Sequence, residues 1–246
     1  MYPDGLAAFK RRRWKSARLC LTLWLLLPAL SRAQESKQFL PEIDTYYSLS
    51  PLVRASFQAK QTREGGDPNQ AEIGPSIEFN FKPWIKLQNQ TVFDLDDASK
   101  RALVFTTGYR VLLSPGSTAT NRWELVATAN FPLSGGFLLS DRNRADLDWQ
   151  SGKEFQWRYR NRLSLERSLK LGSYHSRVYI RDEEFYESQY QKWSTTALYV
   201  GGTFPVRKRF DLGPYYCHQN NTGKNPNQQQ DQLGLIVNLY VPSRKK

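Results

Sequence analysis

The sequence is short of three things on which folded proteins commonly lean. Its 246 residues hold two cysteines, and one of them, Cys20, falls in a basic and apolar N-terminal stretch. With that stretch removed Cys217 stands alone, which excludes an intramolecular disulfide. Stability must then come from a continuous hydrogen-bonded architecture instead of cystines. Two histidines, His175 and His218, are too few to build a metal cage. No cofactor is implied. After residue 33 no apolar run approaches the roughly 20 residues that a helix needs to cross a bilayer, which excludes a helical membrane protein.

What is present begins with a targeting segment. Lys10, Arg11, Arg12, Arg13, Lys15 and Arg18 precede an apolar run from Leu19 to Leu30 and then Ser31-Arg32-Ala33. Residues 1–33 read as a signal peptide cleaved after Ala33, since the run is too short to anchor in a bilayer. Of the formal net charge of +12, the leader carries +6, so the basic balance overstates the mature chain. The remaining Lys and Arg are scattered among Asp and Glu, which excludes a nucleic-acid partner.

The mature chain alternates with period two. Phe155 to Leu165 sets Arg158, Arg160 and Arg162 on one side of a strand and Trp157, Tyr159, Leu163 and Leu165 on the other. The same pattern predicts twelve strands, an even number. They lie near Glu42 to Leu49, Leu52 to Thr62, Ala71 to Phe81, Trp84 to Leu95, Arg101 to Leu113 and Asn121 to Leu133, then Phe137 to Trp149, Glu154 to Arg167, Ser173 to Asp182, Trp193 to Pro205, Phe210 to Asn220 and Asp231 to Val241. The expected fold is all-β, an antiparallel transmembrane β-barrel over residues 34–241 with a basic tail at 242–246. Aromatics near strand ends, including Phe81, Trp84, Phe131, Trp149, Trp193 and Tyr240, fit interfacial girdles. With both termini in the periplasm, Glu184 to Lys192 and Asn221 to Gln230 become extracellular loops. The same rule puts the polar Arg63 to Gln70 stretch inside and the Lys82-Pro83 turn outside, a mismatch that leaves ten or fourteen strands open. A soluble periplasmic β-barrel is the rival fold, with the two faces exchanged.

Two groups of residues stand out. Arg142, Arg144, Asp146 and Asp148 share one face beside Arg158, Arg160, Arg162 and Glu166 of the neighbouring strand. Unpaired charges in a narrow lumen are costly, so these read as a cross-strand salt-bridge network, with a basic constriction that passes small anions as the alternative. In the last strand Gln232, Gly234, Val237 and Leu239 resemble the C-terminal signal read by the barrel-assembly machinery. His218-Gln219-Asn220-Asn221 sits where outer-membrane lipid hydrolases carry a His-x-Ser-Asn arrangement, but Asn220 replaces the serine and an amide cannot act as the acyl nucleophile.

Four stretches together carry a family resemblance. They are Thr107-Gly108-Tyr109-Arg110, Leu139 to Arg144, Trp157 to Arg162 and Tyr215 to Asn221. Spanning about Ile43 to Val241, the chain resembles an uncharacterised family of Gram-negative outer-membrane proteins, catalogued as domain of unknown function 2490. The resemblance implies a single barrel in contact with outer-membrane lipid and carries no activity with it. The expected role is structural, narrow-channel or surface-interacting, without catalysis.

Overall fold

A run of alternating side chains buries one face only if its neighbours present the same face, so the ladders decide what the pattern means. The computed structural model describes residues 34–81, 102–171, 174–207, 209–223 and 225–241. The expected leader, the tail and the expected strand from Trp84 to Leu95 lie outside them.

The described residues form eleven strands: β1 (Gln34–Ser48), β2 (Val53–Glu64), β3 (Asp67–Phe81), β4 (Leu103–Leu113), β5 (Thr120–Leu133), β6 (Phe137–Gln150), β7 (Gln156–Leu171), β8 (Tyr174–Glu187), β9 (Lys192–Arg207), β10 (Phe210–Asn221) and β11 (Gln228–Val241). Each pairs with its sequence neighbours, and β1 closes on β11 into a barrel. The all-β barrel is as expected; its pairing is antiparallel except at one seam. β3 pairs directly with β4, and an odd number of alternating strands brings the first and last together running the same way, so β1 and β11 pair in parallel. Gln34 pairs with Gln228 at one end of that seam and Tyr47 with Val241 at the other.

The odd count also removes the mismatch in the loops. The ends of β2, β4, β6, β8 and β10, and the starts of the strands that follow each of them, all lie at the end of the barrel where β1 begins, called here the loop end. The polar stretch from Arg63 to Gln70 is not a loop at all. β2 runs to Glu64 and β3 starts at Asp67, joined by Gly65 and Gly66, whose φ of 60° and 97° suit a two-residue hairpin turn. The tight turn at 134–136, the end of β9 and the start of β10 lie at the opposite end.

Strands tilt steeply in this barrel. Stepping between ladder partners from Gln34 through Gln228, Asn221, Thr195, Phe185, Arg160, Arg144, Val126, Thr106, Glu78 and Arg54, one circuit returns to β1 at Ser48, its far end. A row of cross-strand neighbours therefore climbs the barrel wall as it goes round.

On β3 and β5 most apolar side chains face out and most polar ones in. Ile73, Ile77, Phe79 and Phe81 of β3 are exposed while Ser76 and Asn80 between them are buried. In β5, Trp123, Leu125 and Phe131 are exposed and Arg122, Glu124 and Val126 buried. Trp149, Phe155, Trp157 and Trp193 are exposed near the loop end, with Trp157 stacked on Tyr186 at 5.4 Å between ring centres. Tyr240 departs from the expected girdle: it faces in and stacks on Tyr46 at 5.4 Å, below the Arg54 guanidinium.

Gly234 shows what the closing strand requires. It lies across from Tyr215, and a Cβ added there would stand 2.0 Å from ring atoms Cε1 and Cζ of Tyr215. Gly234→Val is expected to cost about 1–3 kcal/mol by overpacking and to lower the yield of barrel refolded from urea into detergent micelles. Adding Tyr215→Ala in the same chain should restore the yield; no recovery would show that the glycine serves something other than the ring.

Candidate functional site

The interior is held by charges that meet across the ladders. Because the residues pair 146↔158, 144↔160 and 148↔156, the arginines of β7 project beside the carboxylates of β6. Asp146, fully buried, accepts from Arg144 Nε and from Arg158 Nη2 at 2.9 Å, with Arg160 Nη1 at 3.8 Å. Glu183 on β8, 1% exposed, takes Arg160 and Arg162 at 2.8 Å each and the Tyr199 hydroxyl at 3.0 Å. Arg144 also reaches Glu124 on β5, and Arg158 stands 3.9 Å from Glu187.

The group extends well beyond the residues singled out in the sequence. Arg122 forms a bidentate pair with Asp148 at 2.6 and 2.7 Å and lies 3.7 Å from Glu72 on β3. Arg110 lies 3.5 Å from Glu124, donates to Ser76 Oγ at 2.7 Å and to Gln58 at 3.1 Å, and Gln58 in turn donates to Glu42 on β1 at 2.6 Å. Polar contacts thus run from β1 to β9 around the inner wall. The signal for Glu72, Arg110, Arg122, Glu124 and Glu183 was in the sequence as polar members of alternating strands, but their mutual reach depends on the register.

Two of the expected members stand apart. Glu166 pairs with Arg181 at 3.0 Å, away from Arg158, Arg160 and Arg162. Arg142 faces in opposite Arg162, and among the described residues no carboxylate lies within ion-pair distance of it. Buried ion pairs recover their desolvation cost when each lone pair and proton is met, and the bidentate and shared contacts at Asp146, Asp148 and Glu183 go most of the way to that. Aromatic rings add to this: Arg160 lies 4.6 Å from the ring centre of Phe185 and Arg162 5.2 Å from that of Tyr199. Cys217, fully buried with a free thiol, packs with Phe185 and Ala197 beside Tyr199 and Tyr215.

The same motifs present a second set of polar groups to the outside. Asp141, Asn143, Tyr159 and Asn161 alternate with the inward arginines; Asn161 Nδ2 donates to Asp141 at 2.7 Å and to Asn143 at 3.1 Å, and the Tyr159 hydroxyl donates to Asn143. Asn143, Asn161, Glu184, Thr196, Asn220 and Gln229 are successive ladder partners. This polar row climbs from the middle of β6 to the loop end of β10 and β11. The outer faces of β3, β4 and β5 carry no such row.

His218 lies on that outer side, 42% exposed at its side chain, with Nδ1 2.8 Å from Asp231. The Tyr216 hydroxyl donates to the same carboxylate at 2.6 Å. Its ladder neighbours are Leu198 and Asp231, so no serine stands beside it in the ladder. Among the described residues no group of three or more His, Cys, Asp and Glu is placed to hold a metal ion. In the last strand Gln232 is buried and donates to Gln38 across the seam at 3.1 Å, and Gly234 lies under Tyr215. Val237 pairs with Ile43 and Leu239 with Thr45 on β1.

A family model described as a protein of unknown function (DUF2490) matches residues 44–230. No curated protein matches the chain.

Proposed function

The chain belongs to the DUF2490 family, and from that premise we propose that it is a barrel of the bacterial outer membrane with a salt-bridged lumen. It acts as a structural or surface-interacting barrel or a narrow channel, and performs no catalysis. The observation that carries this reading is the inversion of its two faces. Phe79, Phe105, Leu125 and Leu165 are exposed, whereas Asp146, Glu183, Arg110 and Arg122 are buried inside. In water that distribution would expose apolar surface and spend buried charge for no gain; in lipid both choices follow from the solvent. Strands of 11 to 16 residues suffice to cross a bilayer at a steep tilt.

The expected export signal and the barrel architecture support the outer membrane as the location, since closed barrels are the strand-built solution in that membrane. The loop end then faces the cell exterior and Val241 the periplasm. During biogenesis the closing strand engages the assembly machinery through Gln232, Gly234, Val237 and Leu239. A lumen with most of its charges paired supports a closed or narrow passage over a wide anion-selective pore.

The test is the solvent at Trp157. In a variant that keeps Trp157 and has the other tryptophans replaced by phenylalanine, brominated acyl chains are expected to quench the fluorescence. Bromines near the headgroups should quench more than those near the bilayer centre, because Trp157 lies one residue from the loop end of β7. The native chain should fractionate with the outer membrane and migrate heat-modifiably on mildly denaturing gels. Recovery as a soluble periplasmic protein with unquenched Trp157 would overturn the reading.

A further inference from the structure

Among the described residues one lumenal guanidinium has no carboxylate within ion-pair distance. Arg142 faces in on β6, directly across the ladder from Arg162 on β7. Arg144 and Arg162 each hold a carboxylate, but among the described residues none is within ion-pair distance of Arg142. Arg162 is not saturated either: its Nε is buried and has no acceptor, although Nη2 reaches Glu183 at 2.8 Å. The adjacent inward pair in the same ladder is Ser140 and Ser164, both buried. The carboxylates nearby are engaged, Glu183 with Arg160, Arg162 and Tyr199, and Glu166 with Arg181.

Four side chains in a two-by-two patch therefore offer N–H and O–H donors that no acceptor among the described residues takes up. Like charges opposed across a ladder repel, and a buried donor seeks an acceptor. We infer that this patch binds a small soluble oxyanion of the phosphate or sulfate type. The Arg142 fork holds the anion, the Ser140 and Ser164 hydroxyls complete its shell, and the Arg162 charge across the ladder adds to the attraction. A tetrahedral oxyanion presents separate oxygens to a planar guanidinium fork and to hydroxyls at once, which a halide cannot. Arg158 and Arg160 take no part, because Asp146 and Glu183 already neutralise them.

The site depends on the inner face of the barrel and not on the membrane that surrounds it, so its failure would leave the proposed location untouched. The full chain is folded in detergent micelles and its thermal unfolding followed as inorganic phosphate replaces chloride at constant ionic strength. Phosphate should raise the midpoint. Arg142→Gln should weaken the apparent affinity roughly tenfold or more, the loss of about one charge-assisted contact. Arg54→Gln, whose partner Glu78 lies elsewhere on the inner wall, should keep the response. Without phosphate, Arg142→Gln should unfold no lower than the parent, because it removes a charge from among like charges. Equal effects of phosphate and chloride, an undiminished response in Arg142→Gln, or failure of that variant to fold would each overturn the assignment.

Discussion

Leu125→Arg is expected to destabilise the lipid-embedded barrel by about 2–4 kcal/mol, the cost of an outward cation near the bilayer middle. Leu125 lies near the centre of β5 on a flank whose outward residues include Trp123 and Phe131, and its ladder partners are Thr107 and Ala145, so no carboxylate faces it across either ladder to receive the guanidinium. Thr196→Arg, outward on β9 and close to the loop end, should cost about 0–1 kcal/mol, because there the side chain meets the headgroup region. Urea unfolding from liposomes, read by the fraction of heat-modifiable barrel, measures both. The contrast matters more than either value. If the outer face met water, Leu125→Arg would be harmless and would improve solubility. Equal and small costs at the two positions would therefore reject a lipid-facing β5.

A larger loss is expected inside. Asp146→Leu removes a fully buried carboxylate and leaves Arg144, Arg158 and Arg160 to share fewer partners, and should cost about 3–5 kcal/mol. Glu166→Gln breaks the lone contact with Arg181 between partly exposed side chains and should cost about 1 kcal/mol or less. Combining Asp146→Leu with Arg158→Leu should recover part of the loss, since it removes a charge that the first change stranded. The same urea assay decides. If Asp146→Leu and Glu166→Gln proved equal, or if the double variant lost more than the single, Asp146 would not be the point on which the β6 and β7 charges balance.

Period-two alternation told which face each strand turns to its neighbours, and so the paired interior and apolar exterior were legible from Arg158, Tyr159, Arg160 and their like. What alternation does not carry is register. Arg122 and Asp148 look unrelated in the sequence; they meet because β5 and β6 pair with those two residues opposite each other. The same limit explains Arg142, grouped by spacing with Arg144 but placed by the ladder against another arginine. The turn at Gly65-Gly66 was hidden by its polar flanks, since Arg63, Glu64, Asp67 and Asn69 read as loop residues although they continue two strands past the apolar stretch. Nor does alternation alone tell the outer from the inner side for His218, which the ladder places on the outer wall.

The parallel seam has a consequence for direction. In a barrel with an even number of strands the chain comes back to the side from which it set out. Here Gln34 begins β1 at the loop end and Val241 finishes β11 at the other. In the proposed membrane, sequence fused before Gln34 would be displayed to the surroundings while sequence fused after Val241 stayed within the envelope. The wall itself would then link two compartments through one covalent chain, whether or not anything passes down its middle.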